Sequence, residues 1–91
     1  IKVLDKSFPQ HLPLFLSEWT VPTDVDNEFN FHVDPPVAAQ WVTSALKLMR
    51  ASSRIYALGW IHVVDDPPTS SGGLLTVDGA RKPTFDAFAN G

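Results

Sequence analysis

The sequence predicts a mixed α/β fold made of two βα units whose strands run parallel. Three observations carry this expectation. Two apolar runs, Leu14-Phe15-Leu16 and Ile55 to Val64, show little polar alternation, as strands covered on both faces do. Between them lies one clear amphipathic helical stripe, opened by Pro35-Pro36. Each run is followed by a polar loop and then by a helical segment, the crossover that parallel strands require.

In chain order, residues 1–12 read as the tail of a preceding helix or a connector, and Pro9 stops a helix from continuing into the next element. The first strand begins at Pro13-Leu14 and is expected to end at Ser17-Glu18, because a carboxylate inside a buried strand is costly. From Trp19 to Asp34 no period is visible. Pro22, Thr23, Asp24, Asp26 and Asn27 are turn and loop residues, and Phe29 and Phe31 are aromatics among them. A loop of about fifteen residues is long, and such loops are often functional.

Asp34 then stands as an N-cap before the two prolines. Val37, Trp41, Ala45, Leu48, Met49 and Ser52 recur at three- and four-residue spacings, which predicts a helix with that stripe, Trp41 included, facing the core. Lys47, Arg50 and Arg54 lie toward its C-terminal end, where the helix dipole favours cations. The second strand is expected over Ile55–Val64. Asp65-Asp66-Pro67 reads as a solvated turn, and Thr69-Ser70-Ser71-Gly72-Gly73 as a polar, glycine-rich loop. Leu74 to Val77 suits a short extended piece closed by an Asp78-Gly79 turn, and Pro83 opens a last short helix with Phe85 and Phe88 inward.

Composition bounds the function. With 91 residues, the chain is one domain or a piece of one, and its core is small. The apolar fraction of 44% and charged fraction of 19% argue against disorder. A net charge of −3 without any basic run argues against nucleic acid or an anionic membrane as partner. The longest apolar run is too short for a membrane helix. The opening Ile1-Lys2-Val3 has neither an initiator methionine nor a signal pattern, so the chain is expected to begin inside a longer gene product. Cysteine is absent, and the spacing of His11, His32 and His62 matches no local metal motif, so no metal or cofactor is expected.

Two parallel strands cannot stand alone, since they leave open edges and uncovered apolar faces. A terminal portion of a larger α/β domain is the simplest resolution. In both units the chemistry-bearing residues cluster where a strand ends: Glu18 and Trp19 after the first, Trp60, His62, Asp65 and Asp66 near the end of the second. Open α/β sheets and (β/α) barrels place their ligands at that end.

Three segments carry a family resemblance. "PLFLSEWT" resembles the segment around the nucleophile at the end of barrel strand seven in clan A glycoside hydrolases. "ALGWIHVVDD" resembles their eighth strand, which ends in a tryptophan lying under the sugar, and "GGLLTVDGARKPTFDAF" resembles their closing segment. The resemblance covers about Leu12 to Asn90 and implies the C-terminal portion of a (β/α)8 TIM barrel. Residues 1–12 would be the connector, 13–52 the seventh βα unit and 53–91 the eighth.

It further implies a retaining β-glycosidase, with Glu18 as the nucleophile and Trp60, Trp19, His62 and Asp65 as candidate substrate-binding residues. Retaining enzymes of this kind hold two carboxyl groups about 5 to 5.5 Å apart. The family's acid/base glutamate lies at the end of strand four, usually in an Asn-Glu pair, and that strand is not in this sequence. Asn27-Glu28 has the letters but follows the wrong strand. Thr20 stands where the family usually has glycine.

The implied partners are a carbohydrate substrate and the remaining barrel strands of the same parent. The isolated chain is not expected to hydrolyse anything, since a complete barrel needs about 250 residues. Two alternatives stay open: an inactive, carbohydrate-binding barrel relative, and a freestanding small α/β interaction module. On the bland side, Glu18 would merely cap a loop or pair with Arg54 or Arg81.

Overall fold

The computed structural model describes every residue except Pro9 and Asp26, so the helix break expected at Pro9 and the turn role of Asp26 lie outside the described residues. Among the described residues the elements are α1 (Lys2–Ser7), β1 (Leu14–Trp19), α2 (Pro35–Ala51), β2 (Ile55–Trp60) and α3 (Pro83–Asn90). The chain is thus mixed α/β, with three helices and a two-stranded parallel sheet, and α2 is the crossover between its strands.

The helices start where the prolines put them. Asp34 is the N-cap of α2, but its side chain makes no capping bond. Pro35 and Pro36 already remove two of the amide donors that a cap would serve. Pro83 opens α3 in the same way. Gly79, at φ +85°, completes the Asp78-Gly79 turn, in which its amide donates to the Thr76 carbonyl at 2.9 Å.

The face of α2 is a correction. Ala38, Val42 and Leu46 are buried, while Trp41 is 45% and Leu48 69% exposed. The buried face lies one position along from the predicted stripe because α2 packs chiefly on α3 and only lightly on β2. Ala45, Leu48 and Met49 instead line, with Leu16, Trp19, Ile55 and Leu58, a crevice of about 160 Å³ between α2 and the sheet.

Both strand ends also differ from expectation. β1 continues through Glu18 to Trp19, because the Trp19 carbonyl still accepts the Ile61 amide at 3.1 Å. β2 stops at Trp60 rather than Val64. Its partner has already turned away, and the backbone after Ile61 pairs with the later loop instead. The Val63 carbonyl accepts the Leu74 and Leu75 amides, both at 2.9 Å, and the Leu75 carbonyl accepts the Asp65 amide at 2.9 Å. The expected extended piece at Leu74–Val77 is therefore reduced to isolated bridges from Leu75 to Val64 and to Arg81.

Among the described residues the buried apolar side chains are few: Val21, Pro22, Ala38, Val42, Leu46 and Leu74. On the sheet, Phe15 and Tyr56 pack ring against ring at 5.7 Å yet are 53% and 67% exposed. The radius of gyration is 14.5 Å. A compact chain of this length would have about 12 Å. No helix among the described residues is long and apolar enough to cross a membrane.

Candidate functional site

β1 delivers Glu18 to the site through an irregular register. Leu16 lies opposite Leu58 and Trp19 opposite Trp60, so three steps along β1 match two along β2. The extra residue falls at Ser17-Glu18, and such a bulge re-aims the side chains beside it. Gly59 makes room for it, since a Cβ there would lie 2.7 Å from the Ser17 carbonyl oxygen. A lone glycine within an apolar strand is the sequence signal that could have announced this close approach.

Glu18 opens into a cavity of about 270 Å³ shared with Thr20, Asn27, Glu28, His62, Thr69 and Ser70. A second recess of about 300 Å³ adjoins it, lined by Glu18, Trp19, Phe29, Phe31 and Ile61. Because Glu18, Thr20, Pro22, Phe29 and Ile61 border both, they form one cleft with a polar end and an aromatic end. Glu18 stands at the junction. It makes no ion pair among the described residues: Arg54 pairs with Asp5, and Arg81 lies over the Phe85 ring, 4.0 Å from Asp86.

The remaining candidates divide. Trp19 and His62 line the cleft. Trp60 does not; it stands behind it. Its ring meets Trp19 edge-on at 5.2 Å and Phe88 at 5.7 Å, and its Nε1 donates to the Gly72 carbonyl at 2.9 Å. Asp65 is not in a solvated turn but is folded inward. Its Oδ1 accepts the Gly73 amide at 2.8 Å and Lys82 Nζ at 2.9 Å, and its Oδ2 accepts the same Nζ at 3.0 Å.

The loop at Ser70–Gly73 is the part that sequence reasoning underrated. It reads as a polar loop, yet all four of its residues are buried. The Ser71 Oγ accepts the amides of Thr23 and Asp24 at 3.2 and 3.0 Å and donates to the Asp24 carbonyl at 3.0 Å. The Gly72 carbonyl accepts the Thr20 hydroxyl at 2.6 Å as well as Trp60 Nε1. Thr20 presses so closely on Gly72 that any Cβ at that position would overlap its Oγ1. The loop thereby fastens the chain leaving β1 to the end of β2, and it forms one wall of the cleft. Beyond Asp24, the Asn27 Nδ2 donates to the Asp24 carbonyl and its Oδ1 accepts the Phe29 amide, each at 2.6 Å, which sets the loop carrying Glu28, Phe29 and Phe31.

Among the described residues no three His, Cys, Asp or Glu side chains converge to hold a metal ion. Compared with known proteins, the sequence matches no family model, and no curated protein matches it.

Proposed function

We propose that the chain is the C-terminal portion of a (β/α)8-barrel glycoside hydrolase of the retaining type, with Glu18 as the nucleophile. The observation that carries this is the place of Glu18: a carboxylate at the carboxyl end of a parallel strand, opening into a cleft lined by His62, Thr69 and Ser70. Barrel enzymes draw their catalytic groups from that end of their strands. The open edges and half-exposed apolar residues of the sheet favour further strands of the same parent beside it.

In this mechanism a Glu18 oxygen bonds to the anomeric carbon as the bond to the leaving oxygen breaks. That oxygen takes a proton from an acid contributed by the rest of the barrel. Water, deprotonated by the same group, then releases the sugar from Glu18. No cofactor takes part in such a sequence. Trp19, braced edge-on by Trp60, offers an indole surface to the substrate at the aromatic end of the cleft. His62 is placed to bond a hydroxyl, and Asp65 acts at one remove, by holding Lys82 and the Ser71 loop. The described lining holds two carboxylates, Glu18 and Glu28, and no Lys or Arg, which suits an uncharged sugar.

Replacing Glu18 by Gln in the full-length protein is expected to lower kcat by about 10³-fold or more while sugar affinity persists. Undiminished turnover in that variant would remove Glu18 from the mechanism. A second reading, sugar binding without cleavage, is favoured by one feature: the other carboxylate in the cavity, Glu28, comes from the loop after β1 rather than from another strand. It predicts affinity without turnover in the unaltered protein.

A further inference from the structure

We infer that the aromatic end of the cleft takes the non-sugar part of a glycoside, an aryl or alkyl aglycone, and that Phe29 and Phe31 are the residues that select it. This rests on the glycosidase reading, since it assigns the two ends of the cleft to the two sides of the bond at Glu18. The polar end offers Glu18, Glu28, His62, Thr69 and Ser70, groups able to bond the hydroxyls around a sugar ring.

The other end offers almost none. Apart from the Glu18 carboxylate and the indole of Trp19, its described side chains are hydrocarbon, with the single exception of Thr20. That hydroxyl is already donated to the Gly72 carbonyl at 2.6 Å. A second sugar placed there would lose water from several hydroxyls and find few partners, which weakens binding. An aryl ring or alkyl chain loses nothing by the same transfer and gains from it.

The two phenylalanines are disposed for such contact. Their rings lie 6.1 Å apart at 43°, and both line the recess. Their loop is also held in advance. The Phe29 amide is bonded to Asn27, Asn27 to Asp24, and Asp24 to the buried Ser71, whose carbonyl accepts Lys82 Nζ at 2.8 Å. A pre-set apolar platform beside a polar compartment is the usual composition of a small-molecule site.

The test uses the full-length protein. Phenyl and octyl β-glycosides of glucose, galactose, xylose and mannose are compared with the corresponding disaccharides. Phe29→Ala and Phe31→Ala are expected to raise KM for phenyl and octyl glycosides by about tenfold or more, and KM for the disaccharides by a much smaller factor. Phe31→Leu, which keeps apolar bulk, is expected to restore most of the preference and guards against misfolding. Equal losses on both substrate classes, or none, would overturn the inference. If the unaltered protein turns over no substrate, the glycosidase reading fails separately, and titration of tryptophan fluorescence with the same ligands decides the platform. A preference for aryl and alkyl glycosides that Phe31→Ala abolishes upholds it, and equal or absent binding sinks it.

Discussion

Lys82 Nζ donates to both carboxylate oxygens of Asp65, at 2.9 and 3.0 Å, and to the Ser71 carbonyl at 2.8 Å. The lysine is only 6% exposed, so a buried ammonium has all three of its protons placed. The pair joins the start of α3 to the loop that walls the cleft. Removing one partner of such a pair strands the other charge, which is far more harmful than removing both. Lys82→Met is expected to destabilise the protein by about 3 kcal/mol. A denaturant-unfolding cycle with Asp65→Leu checks this: the double variant should lose less than the two single losses added together. Additive losses would mean that the two side chains do not act as a unit.

Gly59→Ala tests the bulge at Ser17-Glu18. The added methyl would stand 2.7 Å from a backbone oxygen, which cannot swing aside as a side chain can. A loss of about 1–3 kcal/mol is expected from the forced backbone shift. Under the proposed function, kcat should also fall, since the displaced segment carries Glu18. A variant of unchanged stability and activity would show that the close approach does not hold the bulge.

Thr84 is 1% exposed, and its Oγ1 has no hydrogen-bond partner among the described residues. An unpaired buried hydroxyl has lost water and gained nothing in return. Thr84→Val keeps the shape and removes that group, so the unfolding midpoint should hold or rise, by up to about 1 kcal/mol in stability. A clear drop would reveal a partner for the hydroxyl.

The short helix α1 buries none of its residues and is tied down through Arg54, which pairs with Asp5 and donates to the Leu12 carbonyl at 3.1 and 3.2 Å. The hydrogen bond from Arg54 holds the Asp5 carboxyl below its ordinary value; burial opposes this, and the Arg54 charge assists it. A depressed carboxylate stabilises the fold above its unfolded value, about 3.9, and that contribution disappears as pH falls through the lower folded value. Asp5→Asn should therefore loosen α1 at neutral pH, and its difference from the unaltered protein should vanish in acid. Amide exchange over residues 2–8, followed from neutral pH into acid, reads this directly. A difference that does not shrink as the pH falls would contradict it.

The half-exposed sheet makes a prediction for the 91-residue chain by itself. With Phe15, Leu16 and Tyr56 uncovered and both outer strand edges unpaired, it should self-associate in solution. Analytical ultracentrifugation showing a stable, cooperatively unfolding monomer would favour the freestanding module instead.

The local signals were strong enough to be read without the fold. The Pro35-Pro36 and Pro83 helix starts, the Asp78-Gly79 turn and the parallel βαβ order all follow from backbone constraints that act over a few residues. Glu18 and His62 were also visible as polar residues next to apolar runs, and they do line the cleft. Trp41 shows where such reading ends. The α2 arc is apolar well to either side of one line, so periodicity alone could not say whether α3 or the sheet would cover it.

The pairings over long sequence distance belong to the tertiary structure alone. Asp65 and the Ser-Ser-Gly-Gly segment look like solvent-facing loop chemistry in sequence. They become internal because Lys82 arrives beside Asp65, and because the chain leaving β1 needs partners for its amides that no neighbouring residue supplies. Trp60 is set behind the cleft rather than in it for the same kind of reason. Phe88, Trp19 and the Gly72 carbonyl, contributed by three separate segments, together determine where its ring lies. Sequence by itself settled the two strands, the crossover helix and the last helix, since those depend on neighbours along the chain. Which side chains face a ligand and which hold the site together depended on neighbours in space.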